Sequence, residues 1–223
     1  MARGEIGFVG LGIMGKPMVR NLMKADYSVT VYDIVSESVE ELATDGAIAA
    51  SSAAEVASNN PIVITMVPDS PQSEAAILGP GGVLEGASEG DTVIDMSSIA
   101  PASSQKIAAA CEEAGVNFLD APVSGGETGA IDGTLAVMVG GKKDIFDANF
   151  DIMSAMSGSI VLCGPYGAGN TTKLANQIIV AGNIAALGEA MVLARKSGID
   201  PQVVFDAIKG GLAGSTVMNT KGP

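Results

Sequence analysis

The sequence predicts an α/β protein with a doubly wound, mainly parallel sheet, followed by an all-helical C-terminal segment. Short apolar runs alternate with helical patterns through the first 160 residues, an order typical of a parallel sheet wrapped by helices. Strand-like runs stop after Gly169, which indicates that the rest of the chain is helical. The predicted strands are Glu5–Val9, Val29–Tyr32, Ile62–Met66, Thr92–Asp95, Phe118–Ala121, Leu135–Val139 and Ile160–Leu162.

Capping residues predict where several helices begin. Ser52 followed by Glu55 is a capping box. Ser70 and Asp200 each stand directly before a proline, an order that places a cap just ahead of the first helical turn. These positions support the helices that the apolar pattern predicts.

The change of pattern near Gly169 predicts a domain boundary. Asn170–Ser197 is predicted as one helix of 28 residues, and Asp200–Lys209 as another. We therefore expect a sheet domain over residues 1–164, and over residues 165–223 a long interdomain helix with the start of a helical domain.

Composition and charge bound the classes of function. The chain has 223 residues with 29 glycines, 47% apolar and 4% aromatic residues, which suits an α/β protein with an aliphatic core. The net charge is −13 and the twelve Lys and Arg residues are scattered singly, so we expect neither nucleic acid nor an anionic membrane as a partner. An anionic ligand must be held by local devices such as helix N-termini.

The residue types disfavour metal and hydrolytic chemistry. Histidine is absent, and the two cysteines, Cys111 and Cys163, form no short-spaced pair, so we expect no metal site and no nucleophilic triad. The N-terminus lacks the long apolar region of a signal peptide. Gln177, Asn183 and Glu189 interrupt the most apolar stretch, which favours a buried helix over a membrane span. We expect a cytoplasmic protein with reduced thiols.

A glycine-rich turn follows the first predicted strand and opens a predicted helix. Gly10 permits the tight turn, Gly12 allows a pyrophosphate to approach the backbone, and Gly15 allows the helix to pack closely on the strand. This context makes the GxGxxG pattern a dinucleotide-binding fingerprint of the Rossmann type. The predicted pyrophosphate-binding residues are Gly10, Leu11, Gly12, Ile13, Met14 and Gly15.

The residue at the end of the second strand predicts the cofactor. Asp33 stands 18 residues after Gly15, where a carboxylate accepts hydrogen bonds from the adenosine ribose hydroxyls. A 2′-phosphate would meet it as a like charge, and residues 34–38 supply no arginine, so NAD is favoured over NADP. The alternative is an ordinary strand-end residue or helix cap.

Residues after the third and fourth long strands are candidates to line the nicotinamide, because strand carboxyl ends face the ligand crevice in an open α/β sheet. They are Met66, Val67 and Pro68 after one strand, and Ser97 and Ser98 after the other. Ser98 is also suited to a simple turn.

Two further motifs combine glycines with polar side chains. Asp120–Gly126 reads DAPVSGG, a composition that brings backbone N–H groups close to an anion, although it is also common in plain turns. Lys173 lies in the first turns of the long helix, with Asn176 and Gln177 on the same face. The helix dipole disfavours a cation there, which favours proton transfer by Lys173. The alternative is a solvated lysine with polar neighbours.

These motifs together resemble a known family. GFVGLGIMGKPM, DAPVSGG and GAGNTTKLANQ, in this order and spacing, closely resemble the β-hydroxyacid dehydrogenase family over the whole chain. The resemblance implies that the first motif binds NAD(P). It implies that Ser124, Gly125 and Gly126 contact the substrate carboxylate, and that Lys173 is the catalytic acid/base.

Three other stretches resemble the members of the family that reduce tartronate semialdehyde (2-hydroxy-3-oxopropionate) to D-glycerate: IDMSSIAP, GAIDGTLAVMVGG and GGLAGSTV. Relatives that act on 3-hydroxyisobutyrate carry Asn four residues after the lysine, where this chain has Gln177, with Asn176 beside it. The amide that orients the substrate is therefore left open between these two residues.

Several alternatives accompany this interpretation. Within the family they are oxidation of 3-hydroxyisobutyrate and reduction of succinic semialdehyde, methylmalonic semialdehyde or glyoxylate. Outside catalysis the alternative is a non-catalytic NAD-binding interaction module. The presence of Lys173 argues against the module. The resemblance implies a small carboxylate substrate and a helical domain that is truncated here. The exposed apolar helix face this leaves favours a homo-oligomer, dimer or tetramer.

Overall fold

Strands and helices alternate along the chain in a computed structural model that describes residues 3–222. The strands are β1 (Glu5–Val9), β2 (Ser28–Tyr32), β3 (Ile48–Ala49), β4 (Ile62–Thr65), β5 (Thr92–Asp95), β6 (Asn117–Asp120), β7 (Val123–Ser124), β8 (Leu135–Gly141) and β9 (Ser157–Gly164). The helices are α1 (Gly15–Lys24), α2 (Ser36–Thr44), α3 (Ala53–Asn59), α4 (Ser70–Leu78), α5 (Val83–Gly86), α6 (Pro101–Glu113), α7 (Gly126–Asp132), α8 (Lys143–Ala148), α9 (Phe150–Ser154), α10 (Ala168–Lys196), α11 (Pro201–Ile208) and α12 (Thr216–Lys221).

The sheet is mainly parallel, as predicted. Strands β3, β2, β1, β4, β5 and β6 run parallel in this order. Strand β8 pairs antiparallel with β6 and β7, and parallel with β9. The strand order reverses between β1 and β4, and in a doubly wound sheet the ligand crevice lies at such a switch point, outside the strand carboxyl ends. The fold therefore places the predicted cofactor residues at that edge.

Alternating side chains along the central strands divide the core into two layers. Ile64 and Ile94 are buried on one face with helix α1, while Val63 and Val93 are buried on the other face with α3, α4 and α6. This period of two is that of a strand covered on both faces. Two fully buried rings, Phe8 and Phe118, lie in the two layers. Truncating either to alanine costs about 3–5 kcal/mol.

Two of the three predicted helix caps are present in the structure. Ser52 accepts from the N–H of Glu55 at 3.0 Å, and Asp200 accepts from the N–H of Gln202 at 3.0 Å, as predicted. Ser70 as a cap is wrong, because Asp69 is the N-cap and accepts from the N–H of Ser70 at 2.7 Å. The cap thus lies one residue earlier, and Ser70 becomes the first helical residue.

The chain divides into two compact units that meet between Lys173 and Leu174, inside helix α10. The first unit contains the sheet and the first turns of α10. The domain boundary that the sequence suggests, between residues 164 and 165, stays a prediction.

The second unit consists of the remainder of α10 with α11 and α12. Ala194, Phe205 and Met218 are its buried apolar side chains. By length and composition alone α10 is able to cross a membrane, and little of its apolar stretch is buried within residues 3–222. A helix that packs on another chain has the same composition, so the expectation that no segment spans a membrane stays a prediction.

Candidate active site

The glycine-rich turn between β1 and α1 depends on its glycines for different reasons. Gly10 has φ +98°, and a Cβ there would lie 2.2 Å from the Met66 carbonyl oxygen. A Cβ on Gly15 would lie 2.0 Å from the Gly10 carbonyl oxygen. A Cβ on Gly12 would have no heavy atom within 4 Å, and Gly12 is exposed. Gly10 and Gly15 therefore allow close packing, while the backbone at Gly12 is open to a ligand.

The N-terminus of α1 is free to receive an anion. Its N-cap, Met14, makes no side-chain capping hydrogen bond, and Ile13 before it is exposed. Unpaired N–H groups at a helix start hold phosphate groups well. Beside the turn lies a cavity of about 360 Å³. Its lining residues are Leu11, Gly12, Ile13, Lys16, Pro17, Arg20, Ser38, Glu127 and Ile131. The open backbone, the uncapped helix and this cavity fit the pyrophosphate of a dinucleotide.

The two cations of this cavity are already paired. The Nζ of Lys16 and the guanidinium of Arg20 both contact the carboxylate of Glu41, and Arg20 also contacts Asp45 at 2.8 Å. These hydrogen bonds lower the pKa of Glu41 and raise the pKa of Arg20. Neither cation is therefore free to receive a further phosphate without losing a carboxylate partner.

Asp33 lies at the carboxyl end of β2, where the sequence places it. One carboxylate oxygen accepts from the N–H of Leu11, and the other accepts from the N–H of Val35 at 2.8 Å. The carboxylate is thus held between the glycine-rich turn and the start of α2. Each oxygen keeps a further lone pair, which is what ribose hydroxyls require.

The loop after β4 is tied to the loop after β5. The N–H of Val67 donates to the hydroxyl of Ser97 at 2.9 Å. Met66 is half-buried, whereas Pro68 and Ser98 are exposed. In the strand order, β4 and β5 lie on the other side of β1 from β2, which carries Asp33. The two loops therefore lie together at this edge of the sheet, and their role in lining the nicotinamide stays a prediction.

Beneath these loops lies a buried carboxyl group, Asp95, to which the sequence reasoning assigned no role. Its Oδ1 accepts from the hydroxyl of Thr65 at 2.9 Å and from the N–H of Ser97 at 3.0 Å. Its Oδ2 and the hydroxyl of Ser73 are buried without a hydrogen bond among the residues described. Burial without a cation raises the pKa of Asp95. The signal available in the sequence is an acidic residue that directly follows Val93 and Ile94 at the end of a predicted strand.

The predicted substrate loop follows β6. Ser124 is half-buried in β7, and Gly125 and Gly126 have φ values of +146° and +63°. Two successive residues with positive φ favour glycine strongly. The motif is therefore a specific backbone conformation.

Lys173, the predicted acid/base, is half-buried in the second turn of α10. Among residues 3–222 it forms no salt bridge. Burial lowers its pKa, so the direction matches the prediction. The cause differs from the predicted one, because desolvation acts here, and the helix dipole fades within the first turn. Lys173 therefore loses its proton at a lower pH than a free lysine does.

Asn176 and Gln177 lie on α10 within the second unit. The side-chain amide of Asn176 donates to that of Gln177 at 3.0 Å. Their roles as substrate contacts stay predictions.

The first unit brings most of the predicted residues to one edge of the sheet. Gly10 and Asp33 follow β1 and β2, and the loops after β4, β5 and β6 continue the row in the order of the strands. No group of three or more His, Cys, Asp or Glu side chains in the described part of the chain could hold a metal ion. The arrangement fits a dinucleotide and a lysine that transfers protons.

Comparison with known families supports this assignment. The family model described as the NAD binding domain of 6-phosphogluconate dehydrogenase matches residues 5–164. The model described as NAD-binding of NADP-dependent 3-hydroxyisobutyrate dehydrogenase matches residues 167–223.

Individual relatives agree with these matches. The chain is 42% identical to the 2-hydroxy-3-oxopropionate reductase of Escherichia coli, over 98% of this chain and 74% of the relative. It is 38% identical to an NAD-dependent L-serine dehydrogenase of Pseudomonas aeruginosa, over 98% of this chain and 74% of the relative. The solved structure of Mycobacterium tuberculosis 3-hydroxyisobutyrate dehydrogenase with L-serine has a TM-score of 0.90 at 35% identity, and the match covers 99% of this chain and 74% of that one.

These matches identify an NAD(P)-dependent oxidoreductase, and they confirm the fold class and the nicotinamide cofactor expected from the sequence. The chain spans about three quarters of each relative described above. By motif, by identity and by fold, the chain belongs to the β-hydroxyacid dehydrogenase family.

Proposed function

We propose that the protein reduces tartronate semialdehyde to D-glycerate with NADH. The observation that carries the general chemistry is the half-buried Lys173, with its lowered pKa and no salt bridge in the described chain. The substrate assignment is supported by the 42% identity to a 2-hydroxy-3-oxopropionate reductase and by the stretches that resemble such enzymes.

In the proposed reaction Lys173 acts as the general acid. Reduction of an aldehyde carbon creates an alkoxide, which takes a proton from the ammonium group of Lys173. When bound, NADH supplies the hydride for this step. A lysine whose pKa is lowered by burial gives up this proton more readily than a solvated one.

The remaining predicted residues would hold the substrate. Ser124 and the N–H groups of Gly125 and Gly126 would bind the carboxylate, since both glycines are exposed and have no side chain to cover the backbone. Asn176 or Gln177 would orient the hydroxyl and carbonyl oxygens through their side-chain amides.

We further propose that NAD is preferred over NADP. The carboxylate of Asp33 is held at the end of β2, where the ribose would bind, and the nearby cations Lys16 and Arg20 are paired with Glu41. A 2′-phosphate would therefore meet a fixed negative charge without a free cation.

A second substrate class has specific support. A relative named as an L-serine dehydrogenase and a structure titled as a 3-hydroxyisobutyrate dehydrogenase with L-serine both match nearly the whole chain. Oxidation of a small β-hydroxy acid by the same residues is therefore the alternative, and Lys173 would act as its general base.

Side-by-side kinetics test the substrate assignment. The measurement is kcat/KM for tartronate semialdehyde, succinic semialdehyde and glyoxylate with NADH, and for 3-hydroxyisobutyrate and L-serine with NAD. We expect the highest value with tartronate semialdehyde. A higher value with either hydroxy acid would replace the proposed substrate but keep the family chemistry.

We also propose a cytoplasmic homo-oligomer, dimer or tetramer, with no nucleic acid or membrane partner. Apolar side chains of α10 are exposed within the described chain, including Ile178 at 74% and Ile179 at 66%. Burying such a surface against a second copy is favourable. Analytical ultracentrifugation with and without anionic vesicles tests this. A monomer, or sedimentation with the vesicles, would contradict it.

A further inference from the structure

The start of helix α10 is capped by a carboxylate from a distant strand. The N–H of Gly167 donates to Asp120 Oδ1 at 2.8 Å, and the N–H of Asn170 donates to Asp120 Oδ2 at 2.9 Å. Gly167 also accepts the first helical hydrogen bond, from Thr171 at 2.9 Å, so it holds the N-cap position. A glycine has no side chain with which to cap a helix. Asp120, the last residue of β6, supplies the missing group.

A second side chain extends this contact to the next loop. Asn170 Oδ1 accepts from the N–H of Ile99 at 2.9 Å, and its Nδ2 donates to the hydroxyl of Ser104 at 3.0 Å. Asn170 and Asp120 are both buried. The network thus joins four segments of the first unit: the loop after β5, helix α6, the end of β6, and the first turn of α10.

The backbone of two neighbouring glycines packs closely against this carboxylate. A Cβ on Gly140 would lie 2.3 Å from Asp120 Oδ1, and a Cβ on Gly169 would lie 2.9 Å from Asp120 Oδ2. Both glycines therefore allow strand β8 and helix α10 to approach Asp120. Both carboxylate oxygens face N–H donors, so an asparagine at this position would set its own NH₂ group against one of them.

Three of the joined segments carry or adjoin a residue of the proposed site. Ser98 precedes Ile99, the loop of Ser124 follows Asp120, and Lys173 stands three residues after Asn170, on the same side of the helix. The geometry points to Asp120, with Asn170, as a positioning residue that fixes Lys173 relative to the substrate loop. This role rests on the proposed function, because it concerns the proton transfer by Lys173.

The variant Asp120→Asn tests it. Misplacing a proton donor by about 1 Å costs up to ~100-fold, so we expect kcat to fall about 10- to 100-fold. The dissociation constants of the substrate and of NADH should stay within about twofold, because neither includes the proton transfer step. Amide hydrogen exchange at Gly167 and Asn170 should be faster than in the unmodified protein, since both donors lose a carboxylate.

The matched control is Asp91→Asn. The side chain of Asp91 accepts one backbone N–H, from Ser88 at 2.7 Å. Asp91 directly precedes strand β5, at the amino end of the strand, whereas Asp120 lies at the carboxyl end of β6. The Asp91→Asn variant changes the same kind of hydrogen bond in the same unit, and its kcat should equal that of the unmodified protein. An equal loss of kcat in both variants would reduce Asp120 to a general structural role and overturn the proposal.

The outcome can be separated from the substrate assignment. If the unmodified protein turns over another acid of the series, kcat is measured with that acid. If it turns over none, the proposed function fails, and hydrogen exchange decides alone: exchange at Gly167 and Asn170 that Asp120→Asn leaves unchanged overturns the positioning role. If Asp120→Asn does not fold, Asn170→Ala replaces it. This variant keeps both N–H bonds to Asp120, and an unchanged kcat would contradict the proposal.

Discussion

The carboxylate of Asp33 accepts a hydrogen bond from the backbone N–H of Leu11, the residue that follows the first glycine of the dinucleotide turn. Together with the bond from the N–H of Val35, this contact fixes the acidic side chain at the end of β2. The turn that would hold the pyrophosphate and the group that would hold the ribose are therefore linked by a direct hydrogen bond.

Replacing Asp33 with alanine should weaken NADH more than NADPH. The lost hydrogen bonds to a charged acceptor contribute about 1.5–3 kcal/mol, which corresponds to about 10- to 100-fold in the dissociation constant. NADPH should weaken less, because the variant also removes a repulsive charge. Fluorescence titration of both cofactors measures this. Glu40→Ala, an exposed charge on α2, is the control. Equal weakening of both cofactors would contradict the assignment.

Alanine at Gly10 should reduce stability, whereas alanine at Gly12 should reduce NADH binding. Gly10→Ala places a Cβ 2.2 Å from the Met66 carbonyl oxygen at φ +98°, so we expect a loss of roughly 2–5 kcal/mol in unfolding free energy. Gly12→Ala meets no atom within 4 Å, so it should fold normally but bind NADH less tightly. Urea unfolding and NADH titration test the pair. A stable Gly10→Ala, or unchanged NADH binding by Gly12→Ala, would be inconsistent with this geometry.

The pH dependence of turnover should report Lys173. Semialdehyde reduction needs its protonated form, so kcat should fall as the pH rises through its pKa. Burial lowers that pKa from its ordinary value of 10.5, which places the midpoint of the falling limb below 10.5. In the reverse direction the neutral amine is required, and kcat should instead rise with pH. Initial rates across the pH range test this, and a limb at or above the ordinary lysine value would count against it.

The variant Asp95→Asn should fold normally. Its stability, compared with that of the unmodified protein, should increase with pH. Burial raises the pKa of Asp95, so the native state keeps a proton that the unfolded chain releases above about pH 3.8. The stability of the unmodified protein therefore falls as the pH rises through the native pKa.

An asparagine amide keeps the acceptor for Thr65 and can donate to Ser73, whose hydroxyl otherwise has no partner in the described chain. Urea unfolding at pH 5 and pH 8 should show a gain of about 1 kcal/mol or more at the higher pH. An Asp95→Asn variant less stable at both values would contradict it.

The sequence predicts those features that short stretches encode by themselves. The alternation of apolar runs identifies the long strands, and the spacing from Gly15 to Asp33 identifies the cofactor edge, because each depends on neighbouring residues. The two-residue strands β3 and β7 were not predicted, since two residues carry no periodicity.

The networks around the site escape such reasoning for a physical reason. Asp120 caps a helix whose N-cap, Gly167, lies 47 residues later in the chain and offers no side chain. Asp95 and Thr65 are 30 residues apart. Such pairs exist only once the sheet has aligned its strands. The lowered pKa of Lys173 has the same origin, because its burial depends on tertiary packing and its position on the helix alone suggests a different cause.

The most direct test of the proposed mechanism is the turnover of Lys173→Ala with tartronate semialdehyde and NADH. General acid catalysis contributes about 10²- to 10⁴-fold, so kcat should fall by that factor while NADH binding changes less than about twofold. The control is Lys143→Ala, which removes an exposed lysine paired with Asp147 at 2.6 Å and should keep full activity. A Lys173→Ala variant that retains most of its kcat would show that Lys173 is not the proton donor.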